Sequence, residues 1–316
     1  MLSRIGNSLF WLGRYIERAE HVARYTKVHY VSSLDAPLAQ NKEIALESIL
    51  DMVGVQAAYY QKHSQLTDDD ILYFITLDDT NPFSIATNIN GIRENARGTR
   101  DSISIELWEV VNRFYHNVNN YNAAKFQHKG IFNFSREVEE FCTLAKGYVS
   151  NTLIRNEVWM LISLGIHLER AMQLCKIINT KLYDIAKIDP GKLGGPIESY
   201  QWTMLLKSAE SFDMFNRHYK NSSSRRNILD FLIFNPAFPK ALTYNLTYLQ
   251  NNIQAIGFQE GANTKGSLTF KIGKLATQLQ FLTIEEVEEN AAEFMTKTLD
   301  KLYNLARLLE EKYLVY

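Results

Sequence analysis

The chain has 316 residues, 46% of them hydrophobic and 22% charged, which is enough apolar material for one large core or two domains. Its net charge of −1 provides no basic surplus, so the composition excludes nucleic acid as a main partner. The two cysteines, Cys142 and Cys175, form neither a zinc ribbon nor a disulfide framework. We expect both to be reduced core residues of a cytoplasmic protein.

Apolar residues recur mostly every three or four positions, and sustained alternation is rare, which predicts an all-α fold. The longest nearly apolar stretch, residues 158–168, is too short to span a bilayer, so we expect no membrane association. About twelve helices are predicted. In chain order they cover residues 4–32, 40–62, 68–77, 84–98, 103–118, 132–150, 152–187, 198–220, 225–234, 239–256, 268–281 and 284–313.

Two segments of the chain occur twice. Residues 9–19 resemble residues 161–171 at an offset of 152, and residues 74–85 resemble residues 231–242 at an offset of 157. Because both segments recur in the same order and at nearly the same offset, we predict an internal duplication.

The duplication predicts a compact bundle of pseudo-two-fold symmetry, with repeats over about 4–115 and 152–257. The C-terminal helices, over about 268–313, follow the second repeat. None of the predicted loops has the length or composition of an interdomain linker. We therefore expect a single domain over 1–316.

Each copy of the first segment contains a Glu-Arg pair, Glu17-Arg18 and Glu169-Arg170. The first helix has apolar residues on two faces with charges between them, which predicts packing on both sides and burial of Glu17. A buried carboxylate needs a cationic partner, so we expect an arginine within salt-bridge reach of each glutamate. Either these pairs tie helices together, or Arg14 and the two pairs line a charged pocket between the repeats.

A second set of charges lies on the helix predicted over 84–98 and just beyond it. Arg93, Arg97 and Arg100 are spaced i, i+4 and i+7, which places them on one helical face. In the second repeat, Gln250 and Gln254 occupy the positions of Arg93 and Arg97. This asymmetry predicts that the first repeat alone meets an anionic ligand or partner. The alternative is that the arginines pair with acidic neighbours, namely Glu94, Glu106 and Glu109.

At these residues the chain resembles the alpha-E family of bacterial all-helical proteins. The resemblance implies an association with circularly permuted ATP-grasp ligases and transglutaminase-like proteases, and hence with making or processing a peptide or isopeptide. The similar segments are residues 1–4, 11–20, 81–85, 93–97, 106–109 and 168–171, with a looser match at 238–242.

The sequence lacks a phosphate-binding loop, a dinucleotide fingerprint, a nucleophile elbow and a His-Glu-x-x-His motif, so we expect no cofactor and no metal. Three functions remain open. The chain is an accessory or substrate-presenting partner of an ATP-grasp amide ligase, an enzyme whose Glu17 or Glu169 acts as acid or base, or a structural dimerisation protein. A homo-oligomer fits any of the three.

Overall fold

The computed structural model of this protein describes residues 3–34, 39–188, 195–220, 223–257 and 265–314. Every regular element within these ranges is helical, and none of the described residues lies in a β-strand. The all-α prediction is therefore confirmed. No helix in these ranges combines the length and the apolar character that crossing a bilayer requires. The chain divides into two compact units, which meet in sequence between Ile166 and His167.

The first unit contains residues 8–166. Within it, α5 packs on α4 and α6, and α6 packs on α7. Serine or threonine side chains accept a hydrogen bond from the first turn of α4, α5 and α6, which satisfies backbone donors that have no partner within the helix. Its helices are α1 Ser3–Leu34, α2 Ala39–Val53, α3 Gln56–Tyr60, α4 Asp68–Thr76, α5 Ile85–Gly98, α6 Ile105–Asn119, α7 Ala123–Thr152 and the first part of α8 Glu157–Ala186.

The second unit contains the described residues of 167–316, together with the first residues of α1 up to Asn7. Here α12 packs on α11 and α13, and α13 packs on α15. Its helices after α8 are α9 Pro196–Ser208, α10 Phe212–Tyr219, α11 Arg225–Phe234, α12 Leu242–Ile256, α13 Leu268–Phe281, α14 Ile284–Val287 and α15 Ala291–Leu309, and a π-helical turn, Glu310–Leu314, follows.

Three predicted helices are each two helices in the structure. The helix predicted over 40–62 is interrupted at Gly54, where φ is 82°, and the helix over 198–220 is interrupted at Glu210, where φ is 53°. The helix over 284–313 is broken between α14 and α15. A residue in the left-handed conformation ends a helix. A single residue of this kind does not change the spacing of the apolar residues, so hydrophobic periodicity cannot predict the break. The helix predicted over 132–150 begins earlier, at Ala123, and is kinked at Gly130.

Helices α1 and α8 cross at two glycines within the first unit. A Cβ atom on Gly13 would lie 2.1 Å from the carbonyl oxygen of Ile162, and one on Gly165 would lie 2.1 Å from that of Phe10. The two contacts are equivalent, because Phe10 matches Ile162 and Gly13 matches Gly165 in the duplicated segment. In each contact, the glycine of one copy approaches the matching carbonyl group of the other copy. Only glycine permits so close an approach of two helix backbones.

The turns that precede α5 and α12 are held by equivalent asparagines. Asn88 donates to the carbonyl oxygens of Phe83 and Ser84 at 3.1 and 2.7 Å, and Asn245 donates to those of Pro239 and Ala241 at 3.1 and 2.7 Å. Asn88 and Asn245 differ by 157 positions, which is the offset of the second duplicated segment. These local features agree with a duplication, while the superposition of the two repeats and the single domain stay predictions.

Candidate functional site

Helix α1 carries a row of charged residues at intervals of three and four, which places them on one face. Glu17, Glu20, His21 and Arg24 have exposed fractions of only 0%, 2%, 2% and 3%. Together with Lys27 on α1 and with Glu139 and Lys146 on α7, they form what we call the α1 ion cluster. Burial of so many charges is favourable only where each is compensated.

Lys146 is the centre of the cluster. Its ammonium nitrogen lies 3.3 Å from Oε2 of Glu17 and donates a hydrogen bond to Oε2 of Glu20. The other oxygen of Glu17 lies 3.2 Å from Nε2 of His21, one turn further along α1. Glu17 is thus buried, as the sequence predicts, and the cation that the structure brings to it is a lysine from α7. The arginine expected beside each motif glutamate stays a prediction.

The ion pairs continue from Glu20 to the far end of the cluster. Arg24 donates to Oε1 of Glu20 at 2.7 Å, and its Nε lies 3.7 Å from Oε2 of Glu139. Lys27 completes the series with a 2.5 Å bond to Oε1 of Glu139. Each of the three carboxylates, Glu17, Glu20 and Glu139, therefore lies beside at least one cation. The ion pairs between residues of α1 and α7 fasten these two helices to one another.

Cys142 of α7 is completely buried beside this cluster. Burial raises the pKa of its thiol well above the ordinary value, and the Glu20 carboxylate raises it further. Cys175 of α8 is also completely buried, and burial raises the pKa of that thiol to about 12. Since the thiolate is the nucleophilic form, neither cysteine is suited to attack a substrate. The prediction that both are core residues is confirmed.

The second copy of the motif lies on α8, in the second unit. Glu169 is buried, with an exposed fraction of 2%, and its Oε1 accepts a 2.8 Å hydrogen bond from Nε2 of Gln173. Gln173 stands at the position of His21, so in both copies the glutamate bonds to the residue four positions later. Met172 replaces Glu20, and the copy is therefore less charged than the α1 ion cluster.

The two motif arginines each contact the turn that leads into α5 or α12. The guanidinium carbon of Arg18 lies 5.9 Å from the centre of the Phe83 ring, and Arg170 donates to the carbonyl oxygen of Pro239 at 3.4 Å. Arg14 is buried and stacks on the Trp11 ring at 4.4 Å. Contacts of this kind position helices, which favours the structural interpretation of the motif.

The predicted arginine stripe on α5 is only partly present. Arg93 and Arg97 lie on α5 and both bond to Glu94, at 2.9 and 2.6 Å. Helix α5 ends at Gly98, so Arg100 lies outside it, in a 3-10 turn, where its guanidinium is 5.3 Å from the Trp108 ring. The alternative of pairing with acidic neighbours is thus observed for Glu94. Arg97 keeps 64% of its side chain exposed, and its ion pair is therefore weak.

Arg93 is the more anchored of the two stripe residues on the helix. Its Nε donates to Oδ1 of Asn112 at 3.2 Å, and its guanidinium carbon lies 4.4 Å above the Tyr115 ring. Both partners belong to α6, so Arg93 fastens α5 to α6.

Sequence reasoning did not assign a role to Lys146 or to a second buried lysine, Lys181. The ammonium of Lys181 lies 3.2 Å from Oδ2 of Asp184 and donates to Gln201 at 2.7 Å. Burial lowers the pKa of Lys181, although Asp184 opposes this shift. A lysine 1% exposed and bonded on two sides ties α8 to α9 and does not face solvent. Helical spacing places Asp184 beside Lys181, whereas Gln201 and the partners of Lys146 are known only from the tertiary structure.

A Glu-Arg pair thus occurs twice in a chain whose described elements are all helical. The chain belongs to the Alpha-E family, described as a predicted alpha-helical domain with a conserved ER motif, whose profile matches residues 1–314. Uncharacterized proteins of Mycobacterium bovis and of two Mycobacterium tuberculosis strains are 22% identical to it over 316 residues. The match covers 95% of this chain but 34% of each relative, so the chain spans about a third of their length. No solved structure matches.

Proposed function

We propose that this chain is an accessory or substrate-presenting partner of a circularly permuted ATP-grasp amide ligase, in a system that also includes transglutaminase-like proteases and makes or processes a peptide or isopeptide. The association with these enzymes is what the family resemblance implies. The chain's part in it is to bind and present, and the ligase performs the chemistry.

The burial of the motif carboxylates is the observation that carries this proposal. A general acid or base must come within hydrogen-bonding distance of the substrate. Glu17 and Glu169, the sequence's two candidates, are 0% and 2% exposed and bond to neighbouring side chains. A dissolved substrate could reach Glu17 only if α1 and α7 separated. Burial therefore favours a binding role over an enzyme that uses these glutamates.

The length of the relatives agrees with a partner role. The region similar to this chain makes up 34% of each mycobacterial protein, so in those proteins an Alpha-E segment is covalently joined to a larger polypeptide. A domain that acts beside others is consistent with such a fusion.

Arg97 is the residue that we propose for contact with an anionic partner surface. Its pair with Glu94 is solvent-exposed on both sides, with 64% and 49% of the side chains accessible. Exposed pairs of this kind contribute about 0–1 kcal/mol, so a partner's carboxylate can displace Glu94 at little cost. Arg93, held by α6, is the poorer candidate.

The test combines the purified chain with a circularly permuted ATP-grasp ligase from the same organism. We expect a saturable complex in calorimetry, and an increase in ATP-dependent amide formation when the chain is added. The Arg97→Gln variant should bind the ligase at least fivefold more weakly while keeping the wild-type melting temperature. Arg136→Gln is the matched control, because Arg136 is 59% exposed and also pairs with a glutamate on its own helix.

Several results would contradict the proposal. The partner role fails if the chain neither binds the ligase nor changes its rate. Turnover of a peptide by the chain alone, lost in Glu17→Gln, would support the enzyme alternative. A stable dimer in analytical ultracentrifugation, with no ligase binding, would support the dimerisation alternative.

A further inference from the structure

Helices α13 and α15 form the walls of a groove in the second unit, with a cavity volume of about 560 Å³. Ligand pockets usually have volumes of about 300–1,000 Å³, so the groove is large enough for a small molecule or a short peptide. Its floor is apolar, formed by Leu275 and Leu305, which are 4% and 5% exposed. The Phe270 ring stands at the groove with 36% of its surface exposed.

Three lysines line this groove from both walls. Lys271 and Lys274 lie one turn apart on α13, and Lys301 lies on α15. All three are exposed, and none of the described residues that line the groove is acidic. Within the described parts of the chain, neither an ion pair nor a hydrogen bond involves any of these three ammonium groups. Three positive charges that form no ion pair with any described residue are thus concentrated at one groove of a protein whose net charge is −1.

The other lining groups indicate what kind of anion fits. Gln278 and Asn304 bring a side-chain amide to each wall, and an amide both donates and accepts hydrogen bonds. A peptide backbone offers the same two groups in return. An isolated phosphate would occupy a small part of the cavity, would use only the donor groups of the amides and would leave the leucine floor uncovered. A segment with carboxylates, peptide groups and an apolar side chain uses all of them.

We propose that the groove between α13 and α15 binds an acidic peptide segment, with its carboxylates on Lys271, Lys274 and Lys301 and an apolar side chain on Leu275 and Leu305. None of the residues that line this groove belongs to the Glu-Arg motif or to the arginine stripe of α5. The inference does not rest on the partnership with a ligase, because the charges and the shape of the groove exist without it.

Isothermal titration calorimetry of the full chain with two synthetic peptides tests the inference. The acidic probe is acetylated and amidated Glu-Leu-Glu-Leu-Glu, and the neutral probe replaces each glutamate with glutamine. We expect saturable binding of the acidic probe only, with an affinity that falls as sodium chloride is raised, since mobile ions screen exposed charges. Replacing Lys271, Lys274 and Lys301 with glutamine should weaken this binding at least tenfold.

A charge-matched control variant removes three other exposed cations, Lys42, Arg136 and Lys297, each of which pairs with a carboxylate. It should bind the acidic probe like the wild type. The single variant Lys301→Gln, expected to lose about threefold, keeps the test valid if the triple variant melts early.

Three outcomes would overturn the proposal. They are equal binding by the triple variant, equal binding of the neutral probe, and binding of inorganic pyrophosphate without binding of the acidic probe. None of these outcomes depends on the ligase, so this inference and the proposed function fail separately.

Discussion

Each copy of the Glu-Arg motif buries its glutamate inside the fold, but the side chains that bond to the two glutamates differ. On α1, Glu17 bonds to His21 and lies in a cluster of seven charged or titratable side chains centred on Lys146. On α8, Glu169 bonds to Gln173, and Met172 takes the place of Glu20. The glutamate, its bond to the residue four positions later and the arginine that directly follows the glutamate are common to both. These three features therefore occur in both copies, whereas additional charges of α1 such as Glu20 occur only in the first copy.

The largest effect should come from the glycine crossing that the two copies share. Gly13→Ala would bring Cβ to 2.1 Å from the Ile162 carbonyl oxygen, so α1 and α8 must move apart. We expect the free energy of unfolding to fall by about 3 kcal/mol or more, at the upper end for overpacking. Gly165→Ala should behave alike because its clash has the same size. Urea unfolding measures both.

Gly147→Ala is the control for that prediction. Gly147 lies in α7, and apart from its chain neighbours and its own helix backbone no described atom lies within 4 Å of the position that its Cβ would occupy. Alanine is favoured over glycine inside a helix by about 0.5–1 kcal/mol, so this variant should be slightly more stable. Crossing variants no less stable than Gly147→Ala would refute the close approach.

The next largest effect tests the charges that distinguish the first copy. Lys146→Met leaves the buried Glu17 and Glu20 without their shared cation. This should cost about 3 kcal/mol of unfolding free energy, the lower end for a broken buried pair, because the Lys146 side chain is 19% exposed. Lys297→Met, at an ion pair more than 60% exposed on both sides, should cost less than about 1 kcal/mol. Similar losses for the two variants would mean that the α1 ion cluster is not a buried network.

An intermediate effect is expected where the second unit has a bond that the first lacks. The two amide donations of Asn245 fix its orientation, so its Oδ1 accepts from Nδ1 of His167 at 2.7 Å. At the equivalent position, Oδ1 of Asn88 is buried and has no hydrogen-bond partner among the residues that the structure describes. His167→Phe can keep the ring stacked on Tyr248 but removes this donor, which should cost about 1–3 kcal/mol in thermal or urea unfolding. An unchanged stability would show that the bond contributes nothing.

The smallest effect is expected when a residue of the motif copy on α1 is replaced by its counterpart from the copy on α8. His21→Gln places on α1 the amide that already bonds to Glu169 on α8 at 2.8 Å. The unfolding free energy should change by less than about 1 kcal/mol, since the glutamine amide can make the hydrogen bond to Glu17 that the imidazole makes. A loss as large as that of Lys146→Met would mean that the two copies are not interchangeable at this position.

Local patterns in the sequence predict most helices but not their interruptions. The predicted segment 225–234 coincides with α11, because its apolar spacing is regular and Ser224 caps its first turn. Helix α7 begins nine residues before its predicted start, at Ala123, since the polar stretch before Gly130 has little apolar periodicity. The break at Gly54 rests on one left-handed residue, which hydrophobic spacing does not reveal.

The contacts of the site could be predicted from the sequence only where the contacting residues lie close together along the chain. Burial of Glu17 follows from apolar residues on two faces of α1, and its bond to His21 follows from helical spacing. Lys146 lies far along the chain on α7, and no spacing rule connects it to α1. The lysine groove likewise depends on α13 packing against α15, which only the tertiary structure establishes.

The central claim is that the Glu-Arg motif of α1 holds the fold and that partners bind elsewhere. A double-mutant cycle of Glu17→Gln and Lys146→Met tests it, with urea unfolding and ligase affinity measured on the same four proteins. The account predicts a coupling of at least about 1 kcal/mol in the unfolding free energy, as for residues in direct contact, and unchanged ligase affinity in every variant that remains folded. Additive effects on stability together with a loss of ligase affinity would contradict it.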